Sequence, residues 1–212
     1  MSGESRIPNV PILLFDFGQV LIEVFFDRAE PAFRRLIPDP SMLELAPLYN
    51  KHRQSEVFTQ LEIGAITPAQ FRQTMREQHA IEADDDAIDA AFNCILGNIF
   101  AGRLELLQRL SERYELYLLS NTNQLHHDAF IEPAAEILAM FRHCFYSHEL
   151  GERKPDAAIY DKVVQHIGAP AQDILLIDDS APNVRAAEHF GMPAIFLEHP
   201  DALPGLADLL LR

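Results

Sequence analysis

Four apolar residues, Ile12 to Phe15, run directly into Asp16, and Gly18 follows two positions later. A short apolar run with no polar alternation is the pattern of a strand buried on both faces, as in a parallel sheet. Similar runs recur at 115–119, 173–177 and 194–197, with 143–147 as a shorter candidate. Between them the apolar residues fall at helical spacing. Leu104, Leu107 and Leu110 mark a helix over 103–113, and Ile159, Val163 and Ile167 mark one over 155–167, closed by Gly168. A third runs over 181–190 and stops at Gly191, while 123–140 reads as mostly helical and is broken at Pro133. Strands alternating with helices predict a parallel sheet covered on both faces.

The stretch 24–98 breaks this alternation, with helical signals and no convincing strand. A short amphipathic piece over 26–36 is stopped by Pro38 and Pro40, and Met42, Leu43, Leu45 and Leu48 suggest another. Thr67-Pro68-Ala69-Gln70 predicts a helix start, with Thr67 as cap, Pro68 in the first turn and Gln70 completing a capping box; the helix runs to 78. Asp84-Asp85-Asp86 opens a helix over 87–96, where carboxylates suit the positive end of the helix dipole, and Gly97 reads as its stop. The expected organisation is an α/β core from 1–22 and 99–212, with 23–98 inserted as an α-helical subdomain over the carboxyl edge of the sheet.

The chain has 212 residues and a formal net charge of −15. That balance argues against nucleic acid and anionic membranes, because both attract basic surfaces. It admits a small anionic substrate where a bound cation opposes the general field. The two cysteines, Cys94 and Cys144, stand in unrelated contexts and read as free thiols. No apolar run approaches the ~20 residues needed to span a bilayer, and the first residues lack the pattern of a signal peptide. The expectation is a soluble cytoplasmic protein, a monomer or small homo-oligomer.

Candidate chemistry sits where the strands end. Asp16 follows the first strand, where ligands bind in open α/β sheets. Leu118-Leu119-Ser120-Asn121-Thr122-Asn123 carries a strand into a hydroxyl and amides that can bind an anionic oxygen or simply cap a helix. Gly151-Glu152-Arg153-Lys154-Pro155-Asp156 puts a lysine just before a helix, where it can neutralise a phosphate or lie on the surface. Leu175-Leu176-Ile177-Asp178-Asp179-Ser180 ends in paired carboxylates, which suit Mg²⁺ or open a turn. Each segment has a bland reading, but four in this order on neighbouring strands favour one site.

In motif order and spacing these segments resemble the haloacid dehalogenase-like superfamily of phosphohydrolases. The resemblance spans 10–22 and 100–200, with the helical insertion in the place of that family's cap, on a Rossmann-like core. It implies Asp16 as nucleophile, Ser120 and Asn121 as phosphate ligands, Lys154 as charge stabiliser, and Mg²⁺ held by Asp16, the Gly18 carbonyl, Asp178 and Asp179. The segments Asp16-Phe17-Gly18-Gln19-Val20, Leu119-Ser120-Asn121-Thr122-Asn123-Gln124-Leu125-His126 and Arg153-Lys154-Pro155-Asp156-Ala157-Ala158-Ile159-Tyr160 are most similar to a bacterial branch that includes α-D-glucose-1-phosphate phosphatase. A Mg²⁺-dependent phosphatase of a small phosphorylated metabolite, such as a hexose 1-phosphate, is therefore expected, working through an aspartyl-phosphate.

One departure matters. Most phosphatases of the superfamily carry a second acid two residues after the nucleophile to protonate the leaving group; here Gly18 stands there. General acid catalysis is worth about 10²–10⁴-fold, so Glu23, Asp27 and His126 are candidate substitute donors. A hemiacetal leaving group, as in a sugar 1-phosphate, would soften the loss. Arg28, His52, Arg53 and Gln54 are candidate leaving-group contacts in the insertion. Two rivals stand beside the phosphatase reading: a metal-independent 2-haloacid dehalogenase, whose relatives also lack the second acid but do not keep the paired aspartates, and a non-catalytic phosphometabolite binder, which has no need of a nucleophile.

Overall fold

The computed structural model describes residues 10–38, 49–50 and 53–212. In chain order the strands are β1 (Ile12–Phe15), β2 (Ile22–Val24), β3 (Tyr49–Asn50), β4 (Arg53–Gln54), β5 (Leu96–Ile99), β6 (Glu115–Ser120), β7 (His143–Tyr146), β8 (Ile174–Asp178) and β9 (Ala194–Phe196). The helices are α1 (Ala29–Arg34), α2 (Glu56–Glu62), α3 (Pro68–His79), α4 (Asp85–Asn93), α5 (Arg103–Ser111), α6 (Gln124–Phe130), α7 (Ala135–Leu138), α8 (Ser147–Leu150), α9 (Ala157–Ile167), α10 (Ala181–Phe190) and α11 (Leu203–Leu210).

Five strands form one parallel sheet in the order β7-β6-β1-β8-β9. β1 lies at its centre, between β6 and β8, so the chain reverses direction across the sheet at β1. That reversal opens a crevice beyond the carboxyl ends of these three strands. All four residues of β1 are buried, and they divide by parity. Leu13 and Phe15 join the core under α5, α7 and α11, whereas Ile12 and Leu14 join the core under α9 and α10. Burial on both faces is the reason the strand reads as an unbroken apolar run.

A third apolar cluster gathers residues between Ala29 and Ile95, with Leu125 added from α6. At its centre Phe33, Phe58, Phe71 and Phe92 pack with ring centroids between 5.2 and 6.3 Å apart. Arg72 pins α3 to α4 through two bonds to Asp89, at 2.8 and 2.6 Å. The capping box forms as its residue types require: the Gln70 amide N–H donates to Thr67 Oγ1, and the Thr67 N–H donates to Gln70 Oε1.

The reading of 24–98 as free of strands is corrected by the short antiparallel pair β3–β4 within it and by β2 and β5, which pair antiparallel where the insertion leaves and rejoins the sheet. Gly97 lies inside β5 and does not terminate a helix. A Cβ at Gly97 would stand 2.6 Å from both Glu23 Cβ and Phe25 Cε2, so the close approach of the two strands demands glycine. α4 accordingly ends at Asn93 and not near 96. The suggested piece at Met42–Leu48 lies outside the described residues. α11, whose apolar positions Leu203, Leu206, Ala207 and Leu210 pack against the sheet core, adds a helix beyond the last expected strand.

Candidate active site

The crevice at the carboxyl edge brings together residues far apart in sequence. Asp16 follows β1, Ser120 ends β6, and Asp178 ends β8 with Asp179 next in the chain. Lys154 arrives from the loop between α8 and α9. Its side chain is 1% exposed, and its Nζ lies 2.9 Å from Asp16 Oδ1, 2.7 Å from Asp178 Oδ2 and 2.8 Å from the Leu119 carbonyl. A buried ammonium between two carboxylates is the arrangement in which burying charge is tolerable.

The loop that carries Lys154 is fixed by Asn121. The Asn121 amide donates through Nδ2 to the Lys154 carbonyl at 2.8 Å, and its Oδ1 accepts from the Lys154 N–H at 2.9 Å. Asp178 is held just as firmly. It accepts from the Ser180 N–H at 2.8 Å and from Asn183 Nδ2 at 3.1 Å on each oxygen. Asn183, a residue that sequence reasoning missed, sits five positions after Asp178 on the first turn of α10, so it reaches back over the strand end.

The carboxylates of Asp16, Asp178 and Asp179 each offer an oxygen within 4.8 Å of the others. Three carboxylates and one ammonium leave a surplus of two negative charges, which a divalent cation balances. Burial pushes the Asp16 carboxyl up to about 7; Lys154 opposes the shift, and the charges of Asp178 and Asp179 add to it. For Lys154 burial works against the charge, but the attraction of Asp16 and Asp178 outweighs it and holds the ammonium above its ordinary range.

After Asp16 the chain makes a tight turn in which the Leu21 and Ile22 N–H groups donate to the Phe17 carbonyl, and Gln19 adopts a φ of 57°. A Cβ at Gly18 would begin 3.2 Å from Val24 Cγ2. Val24 of β2 thus crowds the space in which a second acid would start. None of the three suggested substitute donors suits the task. Asp27 is exposed and does not line the cavity over the site, and Glu23 accepts from the Asn98 N–H and faces a second cavity. His126 does line the main cavity, but burial pushes its imidazole down to about 4, and its ring contacts Asn123 Nδ2 and the Phe92 carbonyl. Arg28 is exposed with its guanidinium over the Phe25 ring. His52 lies outside the described residues, as do the side chains of Arg53 and Gln54.

The cavity has a volume of about 410 Å³ and is lined by Asp16, Gly18, Ser120, Asn121, Lys154 and Asp179 together with residues of the insertion. Two of its charged residues, Glu62 and Arg153, were not singled out in the sequence. Glu62 ends α2 and is 5% exposed, and its Oε2 lies 3.0 Å from Arg153 Nε. Ser147 ties the same corner, because its Oγ donates toward the carbonyls of Glu62 and Thr122 and accepts from the Thr122 N–H. Arg153 had a signal, since it precedes Lys154 directly. Glu62 had none, because only the fold brings α2 to that loop.

A five-stranded parallel sheet with an acid, a hydroxyl, a lysine and paired aspartates at one edge defines a hydrolase class, and comparison with known proteins agrees. Residues 10–191 match the haloacid dehalogenase-like hydrolases, and the chain belongs to that family. It is 30% identical over 209 residues to flavin mononucleotide hydrolase 1 of Arabidopsis thaliana, covering 97% of this chain and 80% of that protein. It is 24% identical over 184 residues to D-ribitol-5-phosphate phosphatase of Bacteroides thetaiotaomicron, covering 84% and 87%. Among solved structures it is similar to a haloacid dehalogenase-family enzyme of B. thetaiotaomicron, an aspartate-to-alanine variant in complex with magnesium and inorganic phosphate. That match has a TM-score of 0.81 at 31% identity and covers 88% of this chain and 93% of that one.

Proposed function

We propose that this chain is a Mg²⁺-dependent phosphatase of a small phosphorylated metabolite, with Asp16 as its nucleophile. The observation that carries the reading is Lys154, buried between Asp16 and Asp178 at the switch point of the sheet. Asp16, Asp179 and the Gly18 carbonyl would hold the cation, with Asp178 beside them. Both Asp178 oxygens already accept hydrogen bonds, so its larger part is to orient Lys154. Bound there, Mg²⁺ supplies positive charge between the nucleophile and the phosphoryl group.

Asp16 attacks phosphorus, the P–O bond to the alcohol breaks, and an aspartyl-phosphate forms; water then hydrolyses it and returns the carboxylate. Lys154 and the Ser120 hydroxyl stabilise the charge on the phosphoryl oxygens. Asn121 acts through Lys154, whose backbone it clamps. With Gly18 at the usual acid position, the departing alkoxide takes its proton from water, which favours leaving groups more acidic than a simple alcohol. A hexose 1-phosphate meets that requirement as a hemiacetal. Residues 23–98 act as a cap that excludes water from the site.

The test is phosphate release from a panel of sugar 1-phosphates, sugar 6-phosphates and other monoesters, with Mg²⁺ and with EDTA. Release that needs the metal is expected. Metal-independent turnover of a 2-haloacid in place of ester hydrolysis would point to a dehalogenase, and no turnover at all to a binder.

The raised Asp16 carboxyl gives this reading a pH signature. Below about pH 7 a cation must displace the proton on Asp16. Apparent Mg²⁺ affinity should therefore rise about tenfold per pH unit up to roughly pH 7 and level off above it. Calorimetry in buffers of different ionisation enthalpy would read about one proton released per ion at pH 6 and less at pH 8. In the metal-free protein the sign for stability is the reverse. The unfolded chain gives up this proton near its ordinary value of 3.8, so the contribution of this carboxyl to stability falls as pH rises from there toward about 7. An affinity independent of pH over this window would remove Asp16 from the ligand set.

A further inference from the structure

Gln19 holds the turn after Asp16 in a backbone conformation that its side chain does not favour. Its φ of 57° lies in the left-handed region, which among the described residues one other non-glycine residue shares, Ala80 at the end of α3. Glycine adopts that region freely, and Asn and Asp do so more readily than a longer side chain. A glutamine persists there only where its surroundings hold it. Here the hold is a side-chain hydrogen bond: Gln19 Nε2 donates to the Val24 carbonyl at 2.5 Å, across the point where the chain passes from the core into the insertion. Val24 is paired with Leu96 of β5, so this bond fastens the turn to the strand pair that carries the insertion.

The same residue sets the direction of the Gly18 carbonyl. The φ of Gln19 is the rotation that relates the Gly18–Gln19 peptide to the rest of the turn. A peptide is planar, and its carbonyl points opposite to its N–H. That N–H donates to the Ile22 carbonyl at 2.7 Å, so the Gly18 carbonyl points away from the Ile22 oxygen. Gly18 lines the main cavity beside Asp16 and Asp179 and has no side chain of its own to brace it. Resting on the phosphatase reading, in which that carbonyl joins Asp16 and Asp179 around Mg²⁺, we propose that Gln19 is a positioning residue for the metal. Its side-chain bond to the Val24 carbonyl keeps φ left-handed and thereby aims the Gly18 carbonyl as an oxygen ligand. Mg²⁺ demands near-ideal octahedral directions, so a carbonyl that can swing serves it less well.

The test is Mg²⁺ binding by calorimetry on the full chain, with thermal melting in EDTA beside it. Gln19→Met keeps the length of the side chain and removes the donor. Its Mg²⁺ dissociation constant should rise about 10–100-fold, the usual consequence of losing a group that orients a metal ligand. The Mg²⁺ concentration needed for half-maximal phosphate release from acetyl phosphate should rise by the same factor, so the loss of rate is largest at low metal and shrinks toward saturation. Gln19→Gly removes the donor and the backbone strain together. It should melt within a few degrees of the parent in EDTA and still bind Mg²⁺ about tenfold more weakly. A purely structural role for Gln19 would lower the melting temperature of Gln19→Met in EDTA and leave the affinity for Mg²⁺ unchanged. Unchanged affinity in either variant, with a parent protein that binds Mg²⁺ and hydrolyses acetyl phosphate, would overturn the positioning role and leave the phosphatase reading standing. If the parent binds no Mg²⁺, the reading beneath the inference fails and the inference falls with it.

Discussion

Replacing Asp16 by Asn is expected to cut Mg²⁺-dependent phosphate release by on the order of 10⁵-fold or more, the scale on which removal of a nucleophile acts. An amide oxygen at that position cannot form the aspartyl-phosphate. The fold should survive. The amide oxygen of the substituted side chain can still accept from the Phe17 N–H, which donates to Asp16 Oδ1 at 2.8 Å, and Lys154 keeps Asp178 at 2.7 Å. The substitution also removes one of three crowded carboxylates, whose burial opposes its ionisation. A thermal melt within a few degrees of the parent protein, beside a phosphate-release assay in saturating Mg²⁺, checks both halves. Turnover retained at more than about 1% in the purified variant would contradict the nucleophilic role.

Lys154→Met should have the largest effect on stability. Methionine matches the length of lysine and fills the same buried channel, but it leaves Asp16 and Asp178 facing each other without a counter-charge. Removing one partner of a buried ion pair costs about 3–5 kcal/mol. For a chain of this size that corresponds to a melting temperature lower by roughly 6–20 °C in EDTA. The deficit should shrink as pH falls, because protonation of Asp16, already raised by burial, relieves it. It should also shrink in Mg²⁺, which restores positive charge to the site. Activity should fall by about 10²–10³-fold even with metal present, as expected for one lost electrostatic contact to the phosphoryl group. Equal melting temperatures for parent and variant in EDTA at pH 8 would show that the lysine does not hold this cluster together.

Much of this protein was legible without coordinates because its chemistry is carried by strand ends. β1, β6 and β8 are apolar runs buried on both faces, so their boundaries show in sequence, and the polar residue that follows each marks the sheet edge. The capping box at Thr67 and the glycine stops at Gly168 and Gly191 are local features with local causes, and each appears where its residue types predict. β2 and β5 were missed for an equally physical reason. They have three and four residues, and one contains Gly97, which is needed only because another strand passes too close for a side chain.

The fold class and the grouping of Asp16, Ser120, Lys154, Asp178 and Asp179 were thus legible in the sequence itself, through periodicity, the polar residues at strand ends and a lysine placed just before a helix. The tertiary structure decided the rest. It showed the Asn121 side chain clamping the Lys154 backbone beside the cavity, and it brought in Asn183 to hold Asp178. It also took Asp27, Glu23 and His126 out of contention as proton donors, and joined Glu62 to Arg153 across 91 positions at the rim of the cavity. These are properties of distance and desolvation between elements remote in the chain. They depend on how α2, the Lys154 loop and α10 pack around one sheet edge, and no local pattern of hydrophobic and polar residues encodes that packing.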